Sequence, residues 1–198
     1  MAPKPDVSEE RKEQIIEAAL RVFLKRGIQK TRMDDIVEES GLSKGALYWY
    51  FKSKDDLIIG IVDTLFEQEF KTLEEFDLQA GSAKEVLKEF VEIMIADFNR
   101  ITMLMPVFFE FFALAMRSKT IRSMFKEYFH KYMSFLVPII ERGIESGEFR
   151  EVNAYDAAIS MGAVMEGTFL LKAYDPDMVD LDKHLRSGLD IILQGIEA

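Results

Sequence analysis

Between Gly27 and Leu57 the chain carries the start and stop signals of several helices within about thirty residues, and that density constrains the fold more than any other feature. Gly27 follows Lys25 and Arg26, whose charges suit the negative end of a helix running from about Ser8. Thr31-Arg-Met-Asp34 has the T-x-x-D pattern of a capped N-terminus, and Gly41 closes the short helix it opens through Ile36 and Val37. Ser43 then caps a helix of about Lys44 to Tyr50, and Ser53-Lys-Asp-Asp56 caps a long one through Ile58, Ile61 and Leu65. Helices this short are not stable alone, so they must pack on their neighbours. Leu47 and Phe51, four apart, are the residues placed to anchor the shortest of them.

The rest of the chain continues in the same style. Gly81-Ser82 precedes a helix over about 83–100, and Pro106 opens another through VFFEFFALAM. A long helix over 120–145 contains Pro138 and is closed by Gly143 and Gly147. Asn153 to about Tyr174 form the next, Pro176 breaks it, and 181–196 place Leu185, Leu189, Ile192, Leu193 and Ile196 on one stripe. No stretch alternates with the period of a strand and nothing repeats. The expected class is all-α, with about nine helices.

Composition excludes several chemistries. There is no cysteine, so disulfides, thiolate zinc sites and thiol redox sensing are ruled out. His130 and His184 are the only histidines and lie far apart, so no metal site is expected, and no cofactor. No glycine-rich phosphate loop is present. Glu110 and Glu166 interrupt the most apolar windows, so no bilayer span is expected. With a polar N-terminus, MAPKPDVSEERKEQ, the expected location is the cytoplasm. The net charge of −10 is unevenly spread. Residues 1–60 hold 11 Lys/Arg against 11 Asp/Glu, so the remainder carries all of it.

Against that background, Ser40–Lys54 holds three lysines and no acid. A helix-turn-helix places the leading edge of its second helix in the major groove of DNA. Ser43, Lys44, Gly45 and Ala46 form that edge: Lys44 suits guanine O6/N7, and the small residues admit bases and thymine methyls. Tyr48 and Tyr50 offer hydroxyls to phosphates, and Lys54 lies at a helix N-terminus where anions collect.

Residues 10–58 resemble the N-terminal domain of the TetR/AcrR-type family of bacterial transcriptional repressors. The likeness is carried by VFLKRG, by T-x-x-x-x-I at Thr31–Ile36, and by GLSKGALYWYFKSKDDL. It implies a homodimer whose subunits join a three-helix DNA-binding domain (8–53) to a helical ligand-binding and dimerisation domain (54–198), with helix 53–72 connecting them. By position it implies phosphate contacts from Thr31, Tyr48, Tyr50 and Lys54, and places Lys44, Gly45, Ala46 and Trp49 at or near the bases. Many members have arginine where this chain has Asp34. An acid cannot donate to a base, so Asp34 is expected to partner Thr31 at the helix N-cap, and Arg32 to reach groove or phosphate.

The body is rich in methionine and phenylalanine. These mostly pack, but methionine adapts to varied apolar shapes, and an elongated cavity is expected among Met94, Phe98, Phe108, Phe112, Phe125, Phe129, Met133, Met161, Met165 and Phe169. Glu110 and Glu166, if buried there, would meet a cationic or hydrogen-bonding group of the ligand. Helices 153–174 and 181–196 are expected to pair across a two-fold axis as a four-helix bundle, the first kept slim by Ala154, Ala157, Ala158, Gly162, Ala163 and Gly167.

The expected function is a repressor released from a palindromic double-stranded operator when a small, largely apolar effector binds. The alternative is an architectural or activator protein without an effector. An enzyme using Glu110 or Glu166 as acid or base is disfavoured by the missing chemistry.

Overall fold

The computed structural model describes residues 7–74 and 80–198. Among them are nine α-helices: α1 (Val7–Arg26), α2 (Met33–Ser40), α3 (Lys44–Tyr50), α4 (Lys54–Glu74), α5 (Ala83–Ile101), α6 (Met105–Ala115), α7 (Lys119–Glu145), α8 (Ala154–Tyr174) and α9 (Leu181–Ile196). A 3-10 turn, Thr102–Leu104, precedes α6. No strand is present among the described residues; one antiparallel bridge joins Phe149 to Glu197. No helix among them is long and apolar enough to cross a membrane.

The helix punctuation is used with one shift. Gly27 and Gly41 both hold positive φ, 77° and 68°, the left-handed conformation that ends α1 and α2 without a Cβ penalty. Ser43 Oγ accepts from Ala46 N–H at 3.1 Å, and Ser53 Oγ from Asp56 N–H at 3.1 Å. The α2 start differs from the T-x-x-D reading. Arg32 is the N-cap, and Asp35 Oδ2 accepts its backbone N–H at 2.8 Å. Thr31 turns inward instead, donating to Gly27 O at 2.8 Å, and Asp34 pairs with Lys44. Asp35, the neighbour of the expected Asp34, is thus the acid that serves the helix start, while Asp34 is drawn to Lys44 of α3.

The chain forms two compact units. The first comprises the described residues up to Gln68 together with Met103–Phe125; the second comprises Glu69–Thr102 and Lys126–Ala198. Helices α4 and α7 each begin in the first and end in the second.

In the first unit Ile15, Ala18, Ala19 and Phe23 of α1 meet Ile36, Leu47, Leu57, Ile58 and Ile61, with Val107 and Phe111 from α6. Full burial of each large side chain contributes roughly 1.5–3 kcal/mol. That makes the core, rather than helix propensity, the reason the seven-residue α3 exists. Phe51 locks α3 onto α4 through Gly60, where a Cβ would stand 2.5 Å from the Phe51 ring. Arg21 and Lys25 pair with Glu39, and Arg26 with Asp35, tying α1 to α2.

The second unit is built on Val86, Leu87, Phe90 and Met94 of α5, Leu136, Ile139 and Ile140 of α7, Ala158, Met161 and Phe169 of α8, and Leu185, Leu189 and Leu193 of α9, all buried. Glu148 accepts from the backbone N–H groups of Ala83 (3.0 Å) and Lys84 (2.7 Å), neutralising the start of α5. A bidentate Arg186–Glu92 pair (2.6 and 2.7 Å) joins α9 to α5.

Candidate functional site

Helix α3 divides sharply. Leu47 and Phe51 are buried, whereas Ser43, Lys44 and Gly45 are exposed and Trp49 keeps 65% of its surface in solvent. Ala46, Tyr48 and Tyr50 are half-buried. A seven-residue helix whose inner face anchors it and whose outer face holds an exposed tryptophan and lysine presents a surface for a partner. Tyr50 Oη lies 3.5 Å from Ser8 Oγ, and its ring packs edge-on against Trp49.

The basic island is largely spent on the fold itself. Lys52 Nζ donates to the carbonyls of Tyr48 (2.8 Å) and Trp49 (3.1 Å), closing the end of α3. Lys54 Nζ donates to three carbonyls of the α1–α2 loop, Ile28 (2.8 Å), Gln29 (3.2 Å) and Thr31 (3.0 Å). An ammonium has three donors, so this loop uses all of them. Lys54 is the first residue of α4, as expected, but its ammonium turns to these carbonyls. Thr31 is 2% exposed and its one hydroxyl proton is committed to Gly27 O. Lys44, by contrast, is exposed and its ammonium lies 2.7 Å from Asp34 Oδ1, which raises its pKa. Arg32 is exposed at the start of α2.

Glu110 closes the same loop from α6. Its Oε2 accepts from Ile28 N–H at 2.9 Å, and its Oε1 would stand 3.2 Å from a Cβ at Gly27. Lys54 and Glu110 therefore fix loop 27–31 from α4 and α6, one through its carbonyls and the other through a backbone N–H.

The cavity lies in the second unit. An inner pocket of about 40 Å³ is lined by Met94 of α5, by Tyr128, Phe129, Tyr132, Met133 and Leu136 of α7, and by Gly162, Met165 and Glu166 of α8. An outer groove of about 360 Å³ shares Phe129, Met133, Gly162 and Glu166 and adds Lys126, His130, Tyr155, Ile159 and Ala163. Gly162 opens the space: a Cβ there would meet no heavy atom within 4 Å. Glu166 makes no hydrogen bond or ion pair with any described residue, and burial among apolar groups pushes its pKa above the usual carboxylate range.

Of the residues expected around the ligand, Met94, Phe129, Met133, Met165 and Glu166 line this cavity. Phe108, Phe112 and Phe125 belong instead to the first unit's apolar cluster, where the rings of Phe112 and Phe125 sit 4.9 Å apart. Glu110 is bound to the α1–α2 loop. Met161 and Phe169 are buried outside the lining. Phe98 falls outside the residues whose side chains are described. Tyr128 and Tyr132 lie outside the expected set, because a Met/Phe stripe leaves tyrosine out. Their i, i+4 spacing with each other and their adjacency to Phe129 and Met133 were the available signal.

Comparison with known proteins decides the lineage. Residues 15–61 match the model of the bacterial regulatory proteins of the tetR family, and residues 83–194 match the C-terminal domain of the BetI-type transcriptional repressors. The transcriptional regulator TtgR of Pseudomonas putida is 31% identical over 197 residues, covering 93% of this chain and 92% of that protein. The chain belongs to the TetR family. It is a DNA-binding transcriptional regulator of a family that is typically made up of ligand-responsive, dimeric repressors rather than enzymes. Solved structures share the TetR fold. A TetR regulator from Haloarcula marismortui has a TM-score of 0.86 at 19% identity, covering 96% of this chain and all of that one. SmeT, the repressor of a Stenotrophomonas maltophilia multidrug efflux pump, has a TM-score of 0.76 at 22% identity, covering 94% and 93%.

Proposed function

We propose that this TetR-family regulator is a homodimeric repressor in the cytoplasm that holds a palindromic operator and is released when a small, largely apolar molecule enters the cavity of the second unit. The division of labour follows residues 8–53 for DNA and 54–198 for ligand and dimer, with α4 connecting them. The observation that carries the reading is the two-faced α3, anchored by Leu47 and Phe51 and bare at Lys44, Gly45 and Trp49. Lys44, Gly45, Ala46 and Trp49 meet the bases; Arg32, Ser43, Tyr48 and Tyr50 meet phosphate. Thr31 and Lys54 serve this surface indirectly, by holding loop 27–31.

Dimerisation is assigned to α8 and α9. The exposed stripe Tyr155, Ile159, Ala163, Leu170 and Tyr174 runs at helical spacing along α8, and Ile191 is exposed on α9. A long apolar stripe of this kind is suited to its own copy across a two-fold axis, and a two-fold protein calls for a two-fold operator. An effector acts only by preferring one of two dimer states. Helices α4 and α7, continuous through both units, and the Glu110 clasp on loop 27–31 are the elements through which that preference reaches α3.

The test is selection of bound sequences from a random double-stranded DNA library, followed by titration at several salt concentrations. A palindromic consensus and a steep loss of affinity with salt are expected. Lys44→Ala costs about 1–3 kcal/mol on the selected site and relaxes preference at particular base positions. An unchanged preference removes Lys44 from the base-reading set.

A further inference from the structure

Asp34 puts a negative charge on the face that meets DNA. It lies in the first turn of α2 with 70% of its side chain in solvent, and its Oδ1 is 2.7 Å from Nζ of Lys44 on α3. The start of α2 does not depend on it, because Asp35 accepts the Arg32 backbone N–H and pairs with Arg26. Nor does the fold: both partners of the Asp34–Lys44 pair are exposed, and such pairs add little to stability. On DNA of arbitrary sequence the acid cancels part of what Lys44 gains from phosphate.

One kind of group in the major groove reverses that sign. The donors on base edges are the exocyclic amines, N4 of cytosine and N6 of adenine, and a carboxylate accepts from N4. Lys44, exposed beside it, is suited to guanine O6 and N7. In a guanine·cytosine pair O6 and N4 are themselves joined by an N–H···O hydrogen bond, about 2.9 Å long. The Lys44–Asp34 pair has nearly that spacing, 2.7 Å, and the complementary polarity, ammonium for O6 and carboxylate for N4–H. An ammonium has three donors and a carboxylate two oxygens, so each can keep its partner while it meets the base edge. A thymine·adenine pair also offers an acceptor and an amine, O4 and N6. There the C5-methyl flanks the acceptor, whereas guanine gives the ammonium a second acceptor in N7.

We propose that Asp34 and Lys44 read one guanine·cytosine pair in each half-site as a unit, Lys44 donating to guanine O6 and Asp34 accepting from cytosine N4. Asp34 is then a specificity-determining residue of the DNA-reading surface. This rests on the α3 face being that surface, as proposed above. The two side chains divide the work. Lys44 favours DNA in general, and Asp34 opposes it everywhere except at the matching pair.

The test compares the full-length wild type with Asp34→Ala and Asp34→Asn, both at an exposed position where folding is retained. Each is taken through selection from the random double-stranded library. Each is then titrated on the wild-type consensus with cytosine or N4-methylcytosine at the position concerned. N4-methylcytosine keeps Watson–Crick pairing but puts a methyl in place of the groove-facing N4–H. Asp34→Ala is expected to lose the guanine·cytosine preference at one position per half-site by about fivefold or more. It should also bind random DNA several-fold tighter at low salt. Asp34→Asn admits adenine at that position, because an amide pairs with N6 and N7. N4-methylcytosine weakens the wild type by about tenfold and Asp34→Ala far less. If Asp34→Ala tightens binding to all sequences alike and leaves every base preference unchanged, the inference is overturned while the DNA-reading face stands. Equal weakening of the wild type and Asp34→Ala by N4-methylcytosine overturns the N4 contact. Dependence on Asp34 at a thymine·adenine position instead overturns the guanine·cytosine assignment. Selection of no sequence by the wild type overturns the inference and the reading of α3 together.

Discussion

Glu110 and Glu166 look alike in the chain, each a lone acid inside an apolar helical run, and the fold gives them opposite situations. Glu110 on α6 accepts the Ile28 N–H at 2.9 Å and so completes the backbone hydrogen bonding of the α1–α2 loop. Glu166 on α8 has no such partner and sits against aromatic rings and methionines. One carboxylate is a fastener for the DNA-reading unit; the other is an unmet electrostatic demand in the cavity. An acid interrupting an apolar run therefore marks a structural clasp where a backbone donor faces it, and a candidate recognition group where nothing does.

The contrast breaks most directly under substitution. Glu110→Ala leaves the Ile28 N–H without its acceptor in a part-buried setting, and a loss of about 1–3 kcal/mol is expected, read by denaturant or thermal unfolding. Glu166→Ala should cost far less or nothing, because no hydrogen bond is lost. Equal losses at the two positions would erase the distinction.

Gly162→Ala sharpens the cavity side. Its Cβ would enter open space, and relief of a glycine inside a helix stabilises by roughly 0.5–1 kcal/mol. The same methyl narrows the inner pocket, so the expected result is a higher melting temperature with weaker effector binding. A gain in both would place the ligand elsewhere.

The smallest effect is in pH. Burial raises the folded-state pKa of Glu166 above its unfolded value. Its stabilising contribution is therefore fully present below the ordinary carboxylate range and is lost as pH rises through the folded-state value. Glu166→Gln should then equal the wild type in stability in acid and exceed it toward neutral pH, with Lys126 and His130 the other ionisable residues that line the groove. Glu39 gives the reverse sign: hydrogen bonds from Arg21 and Lys25 lower its pKa, so its contribution is present above the ordinary range and lost as pH falls. Melting curves of Glu166→Gln and Glu39→Gln across that range should diverge from the wild type in opposite directions.

Much of the DNA-reading unit was legible in the sequence because its determinants are local. Gly41, Ser43 and Ser53 act within three residues of the backbone groups they serve, and Leu47 and Phe51 share a face by helical geometry alone. The errors there are long-range. The position of Lys54 at a helix start points to phosphate, but its carbonyl partners lie more than twenty residues earlier in the chain, and the T-x-x-D pattern points to a Thr31 cap, whereas Thr31 bonds to Gly27. The cavity was half legible. Composition picked out Met94, Phe129, Met133, Met165 and Glu166, but gave no means of separating them from Phe108, Phe112 and Phe125, which have the same chemistry and pack in the other unit.

The sequence by itself determined the all-α class, the order of nine helices among the described residues, the helix-turn-helix and the family, since caps, breakers and periodicity act through neighbours along the chain. Only the tertiary structure decided which lysine stays exposed, which glutamate is satisfied and which aromatics border empty space. Those outcomes depend on what arrives from distant helices, and pairing or burial of a charge is a property of that encounter rather than of the residue.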